Sequence, residues 1–239
     1  MSEPSQKRRY YAVDALRGLS ILLMVAYHFG YNLVMFDIAP PGLLYNPLLN
    51  FLQPFFASVF IAISGASSTF SHSNLRRGVK ILLCAALVTL ATWLFNPAAF
   101  VRFGILHFLG CAALLYEVFR PLLMRMTRWG WLWLIPFFAA YFLLDRSFPV
   151  EHLWALGIRS ASFSSTDYFP IFPWIFMYFF GVWLGGVISR GQMPDWFYRL
   201  RLPFFERCGR HTLLIYIAHQ PVLIGVSYVI LFFMGRLSL

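Results

Sequence analysis

The sequence predicts an all-α fold, a polytopic transmembrane helical bundle of about seven spans with its N-terminus in the cytoplasm. Composition is the first reason: of 239 residues, 60% are apolar, 20% aromatic and only 12% charged, where an average soluble domain has about 25% charged residues. The second is the gathering of the apolar residues into runs of roughly 15 to 25. The third is the alternation of basic and nearly uncharged segments between those runs.

The first span is expected near 12–35. Lys7, Arg8 and Arg9 precede it like the charged end of a signal peptide. The run is too long for a signal core and no small-x-small cleavage site follows it, which predicts a retained helix. Further spans are expected near 48–70, 78–95, 104–119, 129–144, 170–189 and 211–234. The fourth and fifth are short for a hydrocarbon layer of ~30 Å, so they are expected to be flanked by protein, little tilted or partly re-entrant. The whole chain, 1–239, reads as a single membrane domain with a short N-terminal segment, 1–11, and no internal repeat. Cys84 and Cys111 fall in apolar runs and Cys208 in a basic loop, a placement that predicts neither a disulfide framework nor a metal site.

The net charge of +10 would suggest nucleic acid in a soluble protein, but here the loop positions carry the meaning. Lys7, Arg8 and Arg9 precede the first span, and Arg76, Arg77 and Lys80 lie between the second and third. Arg120, Arg125 and Arg128 follow the fourth; Arg190, Arg199, Arg201, Arg207 and Arg210 follow the sixth. The alternate loops and the C-terminus hold only Arg102, Arg146, Arg159 and Arg236. The positive-inside rule then puts the N-terminus in the cytoplasm and the C-terminus outside.

The first span carries Asp14, Arg17, Ser20, Met24, His28, Tyr31 and Asn32 along one side. Arg17 and His28 are eleven residues apart, three turns plus about 20°, so they share a face and lie ~16 Å apart along the axis. Asp14 and Arg17 fit an interfacial i, i+3 pair with a snorkelling arginine. His28 lies deep in the outer half of the bilayer. An ionisable side chain there serves either as a satisfied structural group or as part of a functional site, and histidine is suited to moving protons near neutral pH.

"RYYAVDALRGLSILLMVAYHF" resembles the opening of the bacterial membrane proteins related to heparan-alpha-glucosaminide N-acetyltransferase. The resemblance continues in order through "FASVFIAISGASSTFS", "RRGVKILLCAALVTLAT", "RFGILHFLGCAALL", "DYFPIFPWIFMYFFGVWLG" and "GRHTLLIYIAHQPVL". The spacing of Arg17 and His28 is also similar to that in the first helix of acyltransferase family 3. The resemblance implies transfer of an acetyl or other acyl group from cytoplasmic acyl-CoA to an amine or hydroxyl of a sugar or glycoconjugate outside. It implies a bacterial inner-membrane protein in contact with membrane lipid, with no metal and no nucleic acid partner, and leaves a homo-oligomer open.

Under the similarity to acyltransferase family 3, His28 matches that family's essential first-helix histidine and Arg17 its arginine. His28 then acts as general base on the acceptor or as an acyl-carrying nucleophile, with Asp14 holding Arg17 and His107 a further catalytic candidate. Arg17, Arg76, Arg77, Lys80, Arg207 and Arg210 are candidates for the CoA phosphates, for which a guanidinium fork is apt; each also sets topology. His219, with Tyr216 and Gln220 before Pro221, is a candidate for the donor channel or a polar clamp between helices. Asn32, Asp167, Tyr168 and Trp174 are candidates for the acceptor sugar, the last two doubling as an ordinary aromatic belt. Two rival readings remain, a small-molecule or proton-coupled transporter and a protein whose polar groups only join helices. No zinc-type cluster or phosphate-binding glycine loop is read, and the only lysines, Lys7 and Lys80, lie outside the last span, where a retinal pigment would need one.

Overall fold

The computed structural model describes residues 9–98 and 100–236. Lys7 and Arg8, counted above among the cytoplasmic charges, lie outside the described residues. The described residues form helices joined by turns, with one isolated β-bridge between Phe103 and Tyr168.

The helices are α1 (Tyr11–Met35), α2 (Pro47–Phe70), α3 (Asn74–Phe95), α4 (Ile105–Arg125), α5 (Leu134–Leu143), α6 (Ile171–Ser189), α7 (Asp195–Arg199), α8 (Pro203–Arg210) and α9 (Thr212–Phe233). Among them α1, α2, α3, α4, α6 and α9 are long and apolar enough to cross a membrane. They agree closely with the expected segments, because an all-round apolar run of this length has little else to become in lipid.

Three boundaries differ. α3 begins at Asn74 rather than 78, because Ser73 caps it by accepting from the Arg76 N–H (3.3 Å). α4 runs on to Arg125 past the expected end at 119, with Pro121 inside it. The carbonyl left without a donor by Pro121 belongs to Glu117, near a charged end where water can satisfy it. The basic stretch after α6 is not plain loop but contains α7 and α8.

The chain divides into two compact units, Met1–Phe60 with Met193–Leu239, and Ile61–Gln192, the boundary falling inside α2. In the first unit α8 lies against the N-terminal end of α1. A Cβ on Gly18 would strike the backbone oxygen of Phe205, and one on Gly209 the backbone oxygen of Asp14. The two helices therefore meet backbone to backbone, the approach that small residues allow in membrane helices.

In the second unit α3 and α4 pack through Gly78 and Gly110, and the C-terminal half of α2 packs on α6 through Gly65, Gly181 and Gly185. The fifth apolar segment, Gly130–Leu143, is a 3-10 turn followed by the ten residues of α5. Arg128 and Asp145 bound it, so it cannot grow. It nonetheless packs along about half of α6, from Trp174 to Trp183. Gly130 packs on Trp183 near one end of α6, and Phe137 and Tyr141 pack on Trp174 near the other.

The α1–α8 crossing yields a direct test. Gly209→Val or Gly18→Val should destabilise the detergent-purified protein by about 1–3 kcal/mol or more, as overpacking does. Gly225→Ala in α9, where no atom lies within 4 Å of the added methyl, should be neutral or slightly stabilising. Thermal unfolding of the three variants side by side reads the difference.

Candidate functional site

Two groups of polar residues stand out in the first unit. At the end of α1 nearest α8, the Asp14 carboxylate is held between two arginines. Arg9 donates to Oδ2 from Nε (2.9 Å) and Nη2 (2.8 Å), and Arg17 Nη1 donates to Oδ1 (3.2 Å). Arg17 also donates to the backbone oxygen of Gly209 (3.3 Å), so it links α1 to the last turn of α8.

α8 is itself anchored by Glu206. Its Oε1 accepts from the Leu202 N–H (2.9 Å) and from Arg201 Nε (3.2 Å). The other face of the Arg201 guanidinium lies 3.7 Å from the Tyr11 ring centroid, a cation–π contact. Desolvation works to raise the Glu206 pKa. The hydrogen bonds from Arg201 and Leu202, with the charges of Arg201 and Arg210, outweigh it and hold the carboxyl below its usual value. Arg207 and Arg210 are exposed on α8 and make no ion pair among the described residues.

Further along α1 is the second group. His28 Nδ1 lies 2.9 Å from the Met24 carbonyl oxygen. A carbonyl can only accept, so Nδ1 carries the proton and Nε2 of the neutral ring keeps its lone pair. His219 on α9 repeats the arrangement, its Nδ1 donating to the Tyr216 carbonyl. The two rings meet edge to face with centroids 5.0 Å apart. One turn beyond, Gln220 Nε2 donates to Asn32 Oδ1 (3.1 Å). Asn32 Nδ2 and Gln220 Oε1 are buried without partners. The structure thus joins His28, His219 and Asn32 in one place, and places Arg17 and Asp14 in another on the same helix.

The remaining candidates are in the second unit. Arg77 turns inward, Nη1 donating to Ser68 Oγ (3.1 Å) and Nη2 to the Ser64 oxygen (3.1 Å), with the Tyr178 hydroxyl bonded to Ser68. It ties the start of α3 to α2, whereas Arg76 and Lys80 are exposed. His107 caps α4: its Nδ1 accepts from the Gly104 N–H (3.3 Å), which leaves Nε2–H to bond Thr89 Oγ1 (3.2 Å). The Thr89 hydroxyl in turn donates to the Val101 oxygen (2.7 Å).

Asp167 caps the same helix, its Oδ2 accepting from the Ile105 N–H (2.9 Å), a favourable place for a carboxylate. Tyr168 donates to the Trp154 oxygen (2.6 Å). Burial, opposed by the charge of Arg159, pushes its pKa up to about 12. Trp174 is buried against Phe137, Tyr141 and Phe169. Sequence reading missed Thr89, Glu206 and the stacked Arg201. The Gly-x-x-His spacing at Gly104 and His107, in which the imidazole takes the Gly104 N–H as the acidic residue of a capping box would, was the available signal for α4. Among the described residues no group of three metal-ligating side chains occurs.

A polytopic helical membrane protein with a histidine pair set between two of its helices is the class that this fold and site define. The family model for the catalytic domain of heparan-alpha-glucosaminide N-acetyltransferase matches residues 9–221, and the chain belongs to that family. No curated protein and no solved structure matches it. The family suggests a membrane acetyltransferase.

Glu206 gives a prediction with a definite sign. Because its pKa is lowered in the folded protein, the charged form contributes stability above the carboxylate range, and that stability is lost as pH falls through the folded pKa. Glu206→Gln should therefore unfold at a lower temperature than wild type at pH 7. The gap should close as the pH drops below 4 or so. A gap that stays constant from pH 7 to pH 3 would show that the charge contributes nothing.

Proposed function

We propose that this protein transfers an acetyl or related acyl group from cytoplasmic acyl-CoA to an amine or hydroxyl of a sugar or glycoconjugate on the outer side of a bacterial inner membrane. The observation that carries the reading is the pairing of His28 and His219. Each has Nδ1–H fixed on a carbonyl, and each presents Nε2 as a base.

Two routes use that pair. In direct transfer, His28 Nε2 takes the proton of the acceptor as its nitrogen or oxygen attacks the thioester carbonyl. The C–S bond breaks, and the departing CoA thiolate takes the proton from His28. In the relay, His28 Nε2 attacks the thioester itself and expels the thiolate. The acceptor then attacks the acyl-imidazole, the C–N bond to His28 Nε2 breaks, and the acceptor's proton passes to His219 Nε2 and from there to water. The relay gives the second histidine a task. It also allows donor and acceptor to arrive from opposite sides. The unmatched Asn32 Nδ2 supplies a donor for a carbonyl or hydroxyl oxygen, and Gln220 Oε1 an acceptor for a hydroxyl or amine proton.

CoA carries phosphates that stay at the cytoplasmic surface. Arg207 and Arg210, exposed on α8, with Arg17 at the α1–α8 junction, are suited to hold them. Arg76 and Lys80 form a second exposed basic group at the start of α3. Arg77, with two donors committed to α2, acts as a packing residue in this reading. Asp167, His107 and Tyr168 position the turn before α4, and Trp174 packs on the neighbouring Phe169.

The orientation follows from the positive-inside rule, with Arg76, Lys80, Arg207 and Arg210 inside and residues 100–104 and 145–169 outside. Cysteines placed singly at positions 76 and 152, in a protein whose three native cysteines are replaced, should label from opposite sides of sealed vesicles. Labelling of both from one side would overturn the topology.

His28→Ala should lower acyl transfer by about 10²–10⁴-fold, the usual contribution of a general acid or base. Folding and acyl-CoA binding should stay close to wild type. Arg17→Ala should weaken donor binding about tenfold, as expected for loss of a charged hydrogen bond. Acyl-CoA binding and single-turnover transfer, measured separately on purified protein, distinguish the two effects. A folded His28→Ala protein that transfers at the wild-type rate would overturn the assignment.

A further inference from the structure

Arg102 lies in the turn between α3 and α4, at the same end of the second unit as the segment 145–169. Its backbone N–H donates to Ser165 Oγ (3.1 Å). Its guanidinium lies over the rings of Phe100 (5.1 Å) and Phe163 (5.6 Å). Nε is buried and has no acceptor. Arg102 makes no ion pair among the described residues. A guanidinium with a buried, unmatched donor is expensive unless an acceptor arrives from elsewhere.

Two spaces meet at this side chain. One is a cavity of about 140 Å³ lined by Glu151, His152, Trp154, Ser160 and Ser162 with Arg102, and by the apolar Val150, Ile158 and Phe163. Cavities of ~150 Å³ hold a single six-membered ring. The lining combines a carboxylate, an imidazole and two hydroxyls with an indole, a set suited to a polyhydroxylated ring. His152 is held there with φ of 72°, a left-handed backbone uncommon for a residue with a side chain.

The other space is an open groove of about 350 Å³ along α3, lined by Ala86, Leu90 and Trp93 with Arg102, Thr89 and His107. Leu90 and Trp93 are about half exposed, and on a membrane helix that face meets lipid. Thr89 and His107 already satisfy each other in the cap of α4, which leaves Arg102 as the polar group of the groove with an unmet bond.

We infer that Arg102 is the phosphate-binding centre of a site for a lipid-borne sugar phosphate, its ring in the 145–169 cavity and its chain in the groove along α3. The phosphate pairs with the guanidinium, which has no ion pair of its own among the described residues, Glu151 and the serines bond the ring hydroxyls, and the chain covers Leu90 and Trp93. Binding stands on these observations alone. That the bound lipid is the acyl acceptor rests on the acyl-transfer reading above.

Phosphatidylinositol, which joins a phosphate diester, a six-membered polyol ring and acyl chains, is the probe. Native mass spectrometry of the detergent-purified full chain should find it bound in preference to phosphatidylcholine, to a monoglucosyl diacylglycerol without phosphate and to soluble glycerophosphoinositol. Arg102→Gln should weaken phosphatidylinositol about tenfold, as loss of a charged hydrogen bond does, and leave the glucosyl lipid unchanged.

Trp93→Ala, on the exposed side of α3, should weaken phosphatidylinositol several-fold and not affect glycerophosphoinositol, which keeps the test open if the arginine variant unfolds. Equal binding of phosphatidylinositol and phosphatidylcholine would overturn the site. Equal binding of the soluble headgroup would overturn its lipid part. Binding as expected with no acyl transfer to any bound lipid would leave the site standing and remove it from the reaction. Loss of transfer in His28→Ala with lipid binding intact keeps the two readings separate.

Discussion

Within a bilayer a polar group has to find its partner inside the protein, because the hydrocarbon offers none and each unmet group costs several kcal/mol. That constraint shapes most of the polar side chains described here within the membrane helices. Serine and threonine hydroxyls of α2 and α3 donate back to carbonyls of the preceding turn, as Ser58, Ser67 and Thr92 do. His28 and His219 do the same with Nδ1. For a hydroxyl the outcome is only satisfaction. For an imidazole it also fixes the tautomer, and so leaves a base at Nε2. The local rule that makes a histidine tolerable in a membrane helix is therefore also what prepares it to accept a proton.

The α1–α8 crossing transmits the same economy to the arginines. With glycine at 18 and 209 the backbones meet, and the carbonyl of Gly209 comes within reach of Arg17. Asp14 then balances Arg17 and Arg9 together. A methyl group at either glycine would lift α8 from α1 and remove the arginine's second acceptor. Arg77 shows the contrasting case. Its two donors serve Ser64 and Ser68 and join two helices, so charge alone does not mark a ligand site. Exposure without an ion pair, as at Arg207 and Arg210, is the better mark.

The helices were legible because their apolar runs are long and unbroken, and the stripe on α1 because 3.6-residue periodicity puts Arg17 and His28 on one face. The pairing of His28 with His219 was not legible. It depends on how α9 lies against α1, which no spacing within either helix records. α8 was hidden for a different reason: a helix of eight residues with Arg207, Cys208, Gly209 and Arg210 at its end has little propensity of its own. It exists because Glu206 caps it and α1 receives it. The capping role of Asp167 was hidden by distance along the chain, since it caps a helix that begins 62 residues earlier. For Trp174, an aromatic near a helix start reads the same from sequence whether it faces a ligand or, as here, other rings.

Four buried side-chain atoms lack a hydrogen bond among the described residues: Asn32 Nδ2, Asn74 Oδ1, Arg102 Nε and Gln220 Oε1. Asn74 is the first residue of α3, where its amide nitrogen already holds the Ser68 oxygen, and no cavity adjoins it among those described. The other three fall beside chemistry. Asn32 and Gln220 offer one donor and one acceptor next to two imidazole bases, and Arg102 offers a donor between an apolar groove and a polar cavity. A chain that turns Ser58, Ser67, Thr92, Ser189, Ser227, His28 and His219 back onto its own backbone has the means to satisfy these as well. Asn32 could be an apolar residue at the α1–α9 contact, and Arg102 a serine at the turn, with a gain of about 1–3 kcal/mol for each desolvated atom removed. A substrate bound there would supply the missing partners, which makes these three atoms, rather than the abundance of arginine, the part of the molecule where one is to be sought.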